Sequence, residues 1–427
     1  MQEMNMLSVI IPVYNEAETI EKALLQIYQQ KYIHTNDLIS KDLYEVIIVD
    51  NNSTDATLQK IRQFSEKHPD LAILTIKETK QGVAWARKSG MDFAIKRSIN
   101  RDNFYHSKDK PFYLFSTDAD CFVDHYWIDA LLKSLQSSHA ALGVSHYYYP
   151  DDHFENRPHL LTIINLILKA RDTVMRIFGG FPDGKGFAIL REKYVKIGGI
   201  EIFYQLQDGK FVCHLSDDWD FGIKVRASGE EIIYSSNSKV LTNPRRVDHA
   251  LHEMIRGVAY GQNGIITMKD IRTPKNGTYQ DISQTEAKLL FEFSIKDFTT
   301  KHIILPVLLS PTMLDKKAVI DFLSLTLSKQ LKNRIQEITH QMRISDFTPI
   351  HLYKTPCFRL YFEFREALFK QMRNNIDSQI GYPPPLPTCL EEISEQLPDQ
   401  FNNFVYYYCE DRESGEAHNY FGNGGVF

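Results

Sequence analysis

The chain has 427 residues, 43% hydrophobic and 24% charged, enough for one large domain with a substantial core plus an extension. A formal net charge of -5, with Lys and Arg spread along the chain and no interleaving of basic and aromatic residues, excludes nucleic acid as an expected partner. Five widely separated cysteines, Cys121, Cys213, Cys357, Cys389 and Cys409, lack Cys-x-x-Cys spacing, which argues against a disulfide framework or a zinc site and suits a reducing cytosol.

The first residues, MQEMNMLSVIIPVYNE, have no basic stretch and only a few apolar residues before Pro12, so they read as a first strand rather than a signal peptide. Helical apolar spacing follows over Glu16 to Gln29. EVIIVD (Glu45 to Asp50) is a second buried strand, NNST offers an N-cap to a helix over Asp55 to Lys67, and LAILTIK (Leu71 to Lys77) is a third strand. A helix from Gly82 to Arg97 precedes the strand Phe112 to Ser116. Each strand is a continuous apolar run, the pattern of a parallel strand covered on both faces. The expected class is therefore α/β, with a doubly wound, mainly parallel sheet.

Beyond that, DHYWIDALLKSLQ reads as an amphipathic helix, AALGVSHYYY as a strand, and residues 155 to 178 as a longer helix ending at Gly179-Gly180. FPDGKGFAILREKYVKIGGI predicts a loop, a short strand and a helix closed by Gly198-Gly199. SDDWDFGIKVRASGEEIIYSS predicts a helix with acids at its start, a Gly229 C-cap and a strand, before NPRRV breaks regular structure. TPKNGTY marks a boundary, and the rest is largely helical, interrupted by Pro306, Pro311 and the PPPLP run at Pro383 to Pro387. The expected division is 1–265, a transferase domain, and 266–427, a mostly helical extension. The longest apolar stretches, Leu160 to Leu168 and Ile303 to Leu309, fall short of the roughly 18 to 20 residues a membrane span needs. LLTIINLILKARDTVMRIF reads first as a core helix, with a peripheral membrane contact left open.

Chemistry concentrates at PFYLFSTDAD, where an apolar strand runs into Asp118 and Asp120. Paired carboxylates at the carboxyl end of a strand supply hard oxygen ligands for Mg²⁺ or Mn²⁺ bridging a diphosphate; a solvated turn is the plain alternative. Three further features fall after strands or at helix starts: VIIPVYNEAETI, IIVDNNSTDAT and KQGVAWARKSGMDFA. With STDADC, GKGFAILREKYVKIGGI and SDDWDFGIKVRASGEEIIY, they cover residues 7 to 240, and in this order they resemble the family 2 glycosyltransferases.

The resemblance implies a GT-A fold, an inverting mechanism and a nucleotide-diphosphate sugar as donor. It places Pro12, Tyr14 and Glu16 in the first nucleotide loop, although Tyr14 equally suits packing on its own helix. Asp50 would accept from a base N–H or the ribose hydroxyls, Arg87 would point at the nucleotide, and Asp118 would touch ribose and metal. Asp120 would coordinate the metal. Where the family often has a second acid this chain has Asn51, which leaves the base open; Asp55 suits a helix cap. Asp217 and Asp218 stand at the family's Glu-Asp, the first acid one methylene shorter, and Asp218 is the expected general base. Complementing the helix dipole is the alternative for the acids Asp217, Asp218 and Asp220. Trp219 would wall a sugar ring or be buried. Arg245 and Arg246 would meet the diphosphate, and His249 would be a third metal ligand, with His252 an equal competitor. The Gly184, Lys185 and Gly186 loop would approach the donor sugar or acceptor, or form a plain turn.

The expected activity is a metal-dependent, hexosyltransferase-type transfer to an acceptor hydroxyl of a glycan, a lipid-linked molecule or a small metabolite, in the cytoplasm. The rivals are the same chemistry on a lipid phosphate at a membrane surface, and a non-catalytic nucleotide- or sugar-binding protein. Sugar, base, acceptor, linkage and oligomeric state are not readable from the chain.

Overall fold

The computed structural model describes residues 6–105, 110–202, 204–207, 210–213, 217–244, 247, 281, 283–284, 287, 291, 295, 298–339 and 349–383. The chain divides into two units, Met1–Tyr149 with Gly179–Leu206 and Phe211–Asn243, and Pro150–Phe178 with Gln207–Lys210 and Pro244–Phe427.

The first unit is built on strands β1 (Leu7–Val13), β2 (Tyr44–Asp50), β3 (Ile73–Lys77), β4 (Tyr113–Ser116), β5 (Cys121–Val123), β6 (Leu142–Tyr148) and β7 (Phe187–Leu190). Strands β8 (Tyr204–Gln207) and β9 (Lys210–Cys213) pair as a small two-stranded sheet, and β10 (Ile232–Thr242) belongs to the main one. The main sheet has eight strands in the order β3-β2-β1-β4-β7-β6-β10-β5. β1 to β4 are parallel, as are β6 and β10, whereas β7 runs against both β4 and β6 and β5 runs against β10. The mostly parallel α/β class expected from the sequence is what the chain forms.

Every residue of β1 and β2 is buried, as continuous apolar runs require. The chain proceeds outward from β1 to β2 and β3, then returns to the other side of β1 as β4. The strand order therefore reverses between β1 and β4, the point in an open sheet where ligands gather. Pro12 sharpens this crevice. Ile10 points its carbonyl at β4, accepting from Thr117 N–H at 3.3 Å, so Pro12, two residues on, faces the same side without an N–H to donate. The β1–β4 register ends at Ile10 with Ser116, whereas β1 stays paired with β2 to Val13 with Asp50.

Helices α1 (Ile20–Tyr28), α2 (Thr57–Lys67) and α3 (Val83–Tyr105) connect these strands, α3 running eight residues past its expected end at Arg97. Gly90 lets α3 lie close on the sheet: a Cβ there would meet Ile10 Cγ2 at 2.5 Å and Val49 Cγ2 at 2.8 Å. α4 (Trp127–Ser138), α6 (Arg191–Ile197) and α7 (Asp217–Ala227) complete the unit, α6 closing at left-handed Gly198 as predicted. β5, with three residues, is too short to carry a period along the chain.

The second unit holds α5 (Pro158–Phe178) and helices over Leu305–Leu309, Lys317–Leu323, Leu325–Thr339 and Pro349–Asn375. Leu160, Ile163, Ile164, Ile167, Ala170 and Val174 form a buried stripe at helical spacing, and Phe178 meets Phe322 edge-on at 5.7 Å. A core helix is the form α5 takes. Among the described residues no helix is long and apolar enough to cross a membrane.

Candidate active site

The loops after β1, β2 and β3 are tied together by side chains. Asn15 takes a left-handed φ of 52°, donates its N–H to Ser53 Oγ at 3.0 Å and accepts from Thr54 N–H at 2.7 Å. Asp55 accepts from Ala17 N–H at 3.2 Å and from Thr57 N–H at 3.0 Å, the helix-opening role expected of it. Glu16 is buried and accepts from the Thr19 hydroxyl at 2.8 Å, which fixes the first turn before α1. Pro12 is buried in β1 and Tyr14 half-buried just beyond it. Asp50 is buried at the end of β2, with one carboxylate oxygen accepting from Ser53 N–H at 3.0 Å.

Asn51 has a role the sequence did not reveal. Its amide nitrogen donates to the carbonyls of Glu78 at 2.9 Å and Lys80 at 2.7 Å, while its oxygen accepts from Gly82 N–H at 2.7 Å. The buried amide therefore staples the β2 end to the loop that opens α3. A carboxylate could not make the two donations.

Arg87, in the second turn of α3, is 1% exposed. One terminal nitrogen donates to Asp118 at 2.7 Å, and the other donates to Asp217, itself buried, across 130 residues of sequence. Its Nε–H finds no partner among the described residues. Burial by itself would lower the Arg87 pKa; the carboxylates of Asp217, Asp118 and Asp218 outweigh it and hold the guanidinium charged. The resemblance implies that Arg87 points at the nucleotide; both of its terminal nitrogens donate to acids.

Asp218, 9% exposed, begins α7 beside Asp217. Burial, then the neighbouring Asp217 carboxylate, push its pKa well above the usual carboxylate range, against the opposing pull of Arg87, with Asp118 and Asp183 adding to the rise. Trp219 stacks on Phe181 with centroids 4.8 Å apart, so it is an aromatic wall anchored to its own unit.

The Asp183–Gly186 loop sits on these acids. The Gly184 carbonyl accepts from the Asp118 N–H at 3.0 Å, the Lys185 carbonyl accepts from the Thr117 hydroxyl at 2.9 Å, and the Gly186 carbonyl accepts from the Ser145 N–H at 2.9 Å. Gly184 has a φ of +75°, and a Cβ there would fall 2.5 Å from Asp118 Oδ2 and 3.2 Å from Asp218 Oδ2. Two carboxylates from distant parts of the chain thus converge on one glycine. The Lys185 ammonium lies over the Tyr147 ring at 4.0 Å and 3.7 Å from Asp183. Asp183 and Tyr147 escaped the sequence reading; an Asp one residue before Gly-x-Gly was the only signal for the former, and Tyr147 had none.

Ligand atoms of Asp118, Asp120 and Cys121 lie within 4.8 Å of one another. The two carboxylates fit a hard divalent cation. Burial, then the Asp120 and Asp118 carboxylates, push the Cys121 thiol well up. The carboxylates of Asp217, Asp118 and Asp183 act on Asp218 against the single guanidinium of Arg87, a surplus of negative charge that suits a cation. Arg245, Arg246 and His249, with its competitor His252, lie outside the described residues.

Residues 8–198 match the family model Glycosyl transferase family 2, and the chain resembles that family over this segment, as its motifs imply. Over 146 residues it is 34% identical to Glycosyltransferase AglE of Haloferax volcanii, covering 34% of this chain and 40% of that protein. It is 25% identical over 231 residues to a dolichol-phosphate mannosyltransferase of Pyrococcus furiosus, covering 52% and 58% respectively. The chain thus spans well under two thirds of the length of these relatives. Among solved structures, the mannosyltransferase PcManGT of Pyrobaculum calidifontis with GDP-Man and Mn²⁺ aligns over 88% of both chains at 18% identity and a TM-score of 0.39. A likeness of that size carries no weight for the site.

Proposed function

We propose that this chain, with its family 2 glycosyltransferase segment at residues 8–198, is a metal-dependent inverting glycosyltransferase. It would move a sugar from a nucleotide diphosphate to an acceptor hydroxyl. The observation that carries the reading is the convergence of Asp118 and Asp218 on Gly184, which brings a donor-side acid and a buried acid with raised proton affinity to one point.

The nucleotide would lie in the crevice between β1 and β4, cradled by Pro12, Tyr14, Glu16, Asp50 and Asp118. Asp118 and Asp120 would hold Mg²⁺ or Mn²⁺, which when bound neutralises charge developing on the departing diphosphate. Asp218 takes the acceptor hydroxyl proton as that oxygen bonds to the anomeric carbon, and the bond from that carbon to the diphosphate oxygen breaks on the opposite face. No covalent intermediate is needed. A carboxylate whose proton affinity is raised by burial and by Asp217 accepts the hydroxyl proton more favourably. Arg245 and Arg246 for the diphosphate and His249 for the metal stay proposals from the resemblance, as does the division into a 1–265 transferase domain and a 266–427 helical extension.

A thermal-shift panel of UDP, GDP, CDP and dTDP, with and without Mn²⁺, on wild type and Asp120→Ala tests the reading. One diphosphate stabilising only with metal, and only with Asp120 intact, supports it and identifies the base. No shift at millimolar ligand sinks the donor-site assignment and favours a protein that binds something else.

A second reading keeps the chemistry and makes the acceptor a lipid phosphate; the name of the Pyrococcus relative favours it. Pelleting with phospholipid vesicles would place the chain at a membrane surface, and recovery in the supernatant would remove that reading.

A further inference from the structure

We infer that Arg87 and Asp217 form a positioning pair that fixes α7, the helix carrying Asp218, against the donor-side acid Asp118. The inference rests on the transferase reading and deepens it. Arg87 is placed by its backbone before it is placed by its charge. Gly90, one turn later on α3, brings that helix close on β1 and β2 at Ile10 and Val49, so the guanidinium extends from a rigid base. Its two terminal nitrogens then span two elements far apart in sequence, the β4 end at Asp118 and the α7 start at Asp217. A planar fork with fixed donor directions holds two carboxylates at a set separation, which a single ammonium cannot do.

Asp217 is the acid that is one methylene shorter than the family pattern. Its reach is supplied from the other side by the long Arg87 guanidinium. Asp217 is consumed by this contact, and Asp218, the next residue on the helix, is left as the acid facing Gly184. A pair of this kind sets where the base stands relative to the donor without touching either substrate. This separates it from the direct nucleotide contact implied by the resemblance.

The experiment is a double-mutant cycle of Arg87→Lys, Asp217→Glu and the double variant, read as kcat, KM for the donor, nucleoside-diphosphate Kd by calorimetry, and Tm for each protein. Arg87→Lys is expected to lower kcat by ~100-fold, the cost of misplacing a catalytic group by about an ångström. Its diphosphate Kd should worsen by far less than kcat falls, because the guanidinium itself makes no nucleotide contact in this assignment. The double variant should regain about tenfold over Arg87→Lys alone, since a longer acid meets a shorter cation. Tm values show that each variant is folded, and rates are taken per folded protein. A Kd that worsens by the same factor as kcat/KM overturns the pair in favour of a nucleotide contact. Losses that simply multiply in the double variant, or an unchanged kcat for Arg87→Lys, also overturn it. Wild type that binds no nucleoside diphosphate removes the transferase reading first and the pair with it.

Discussion

Gly184 accepts the Asp118 N–H at 3.0 Å, and the side of its Cα where a β-carbon would stand lies 2.5 Å from Asp118 Oδ2 and 3.2 Å from Asp218 Oδ2. A residue with no side chain is therefore required twice over, by backbone conformation and by space. The space is left to the two carboxylates instead of a methyl group.

Gly184→Ala should lose activity by about 100-fold or more, because the methyl displaces one acid or the other. The left-handed φ of +75° adds about 1 to 2 kcal/mol of strain. Steady-state kinetics with a melting curve check both; a variant with wild-type kcat would show that the acids do not meet substrate at this glycine.

Removing the metal should remove the nucleotide. With ligand at 100 times Kd, binding stabilises the native state by about 2.7 kcal/mol, and Asp120→Asn or EDTA should erase that increment for a nucleoside diphosphate with Mn²⁺. Retention of the full shift in either condition would take Asp120 out of the metal set.

Asp218→Asn should lower kcat by about 10² to 10⁴-fold, the usual contribution of a general base. The same substitution should stabilise the protein at neutral pH. Burial raises the native pKa of Asp218 above its ordinary 3.8, so its favourable contribution is complete below 3.8 and is lost as pH rises through the native value. Asparagine never ionises, so the Tm advantage of the variant should shrink on acidification. An advantage that is flat with pH would mean that Asp218 does not carry this cost.

Asn51→Asp restores the acid common in the family at this place, yet it should destabilise the protein by roughly 2 to 4 kcal/mol. The carboxylate would face the Glu78 and Lys80 carbonyls with nothing to donate. Chemical denaturation measures this directly. A neutral outcome would show that the staple between the β2 and β3 loops is dispensable.

Much of the first unit was legible along the chain because its signals are local. β1, β2 and the β7–α6 segment carry their own apolar runs and glycine stops, and the site acids Asp50, Asp118, Asp120, Asp217 and Asp218 follow strands or open a helix. β5 and the two-stranded β8–β9 sheet were not legible, since strands of three or four residues leave no period. The antiparallel insertion of β7 between β4 and β6 was likewise hidden, because an apolar run has no direction.

By itself the sequence determined which residue types stand at strand ends: apolar runs fold into buried strands, and carboxylates placed after them must surface at one edge of the sheet. Only the tertiary structure decided how those acids are shared. Arg87 turned out to serve Asp118 and Asp217, Asn51 to serve backbone rather than nucleotide, and Gly184 to be the point where Asp118 and Asp218 meet. Those assignments depend on helix α3 lying close on β1 through Gly90 and on a loop 66 residues beyond Asp118 folding back to it, distances in space that no spacing along the chain encodes.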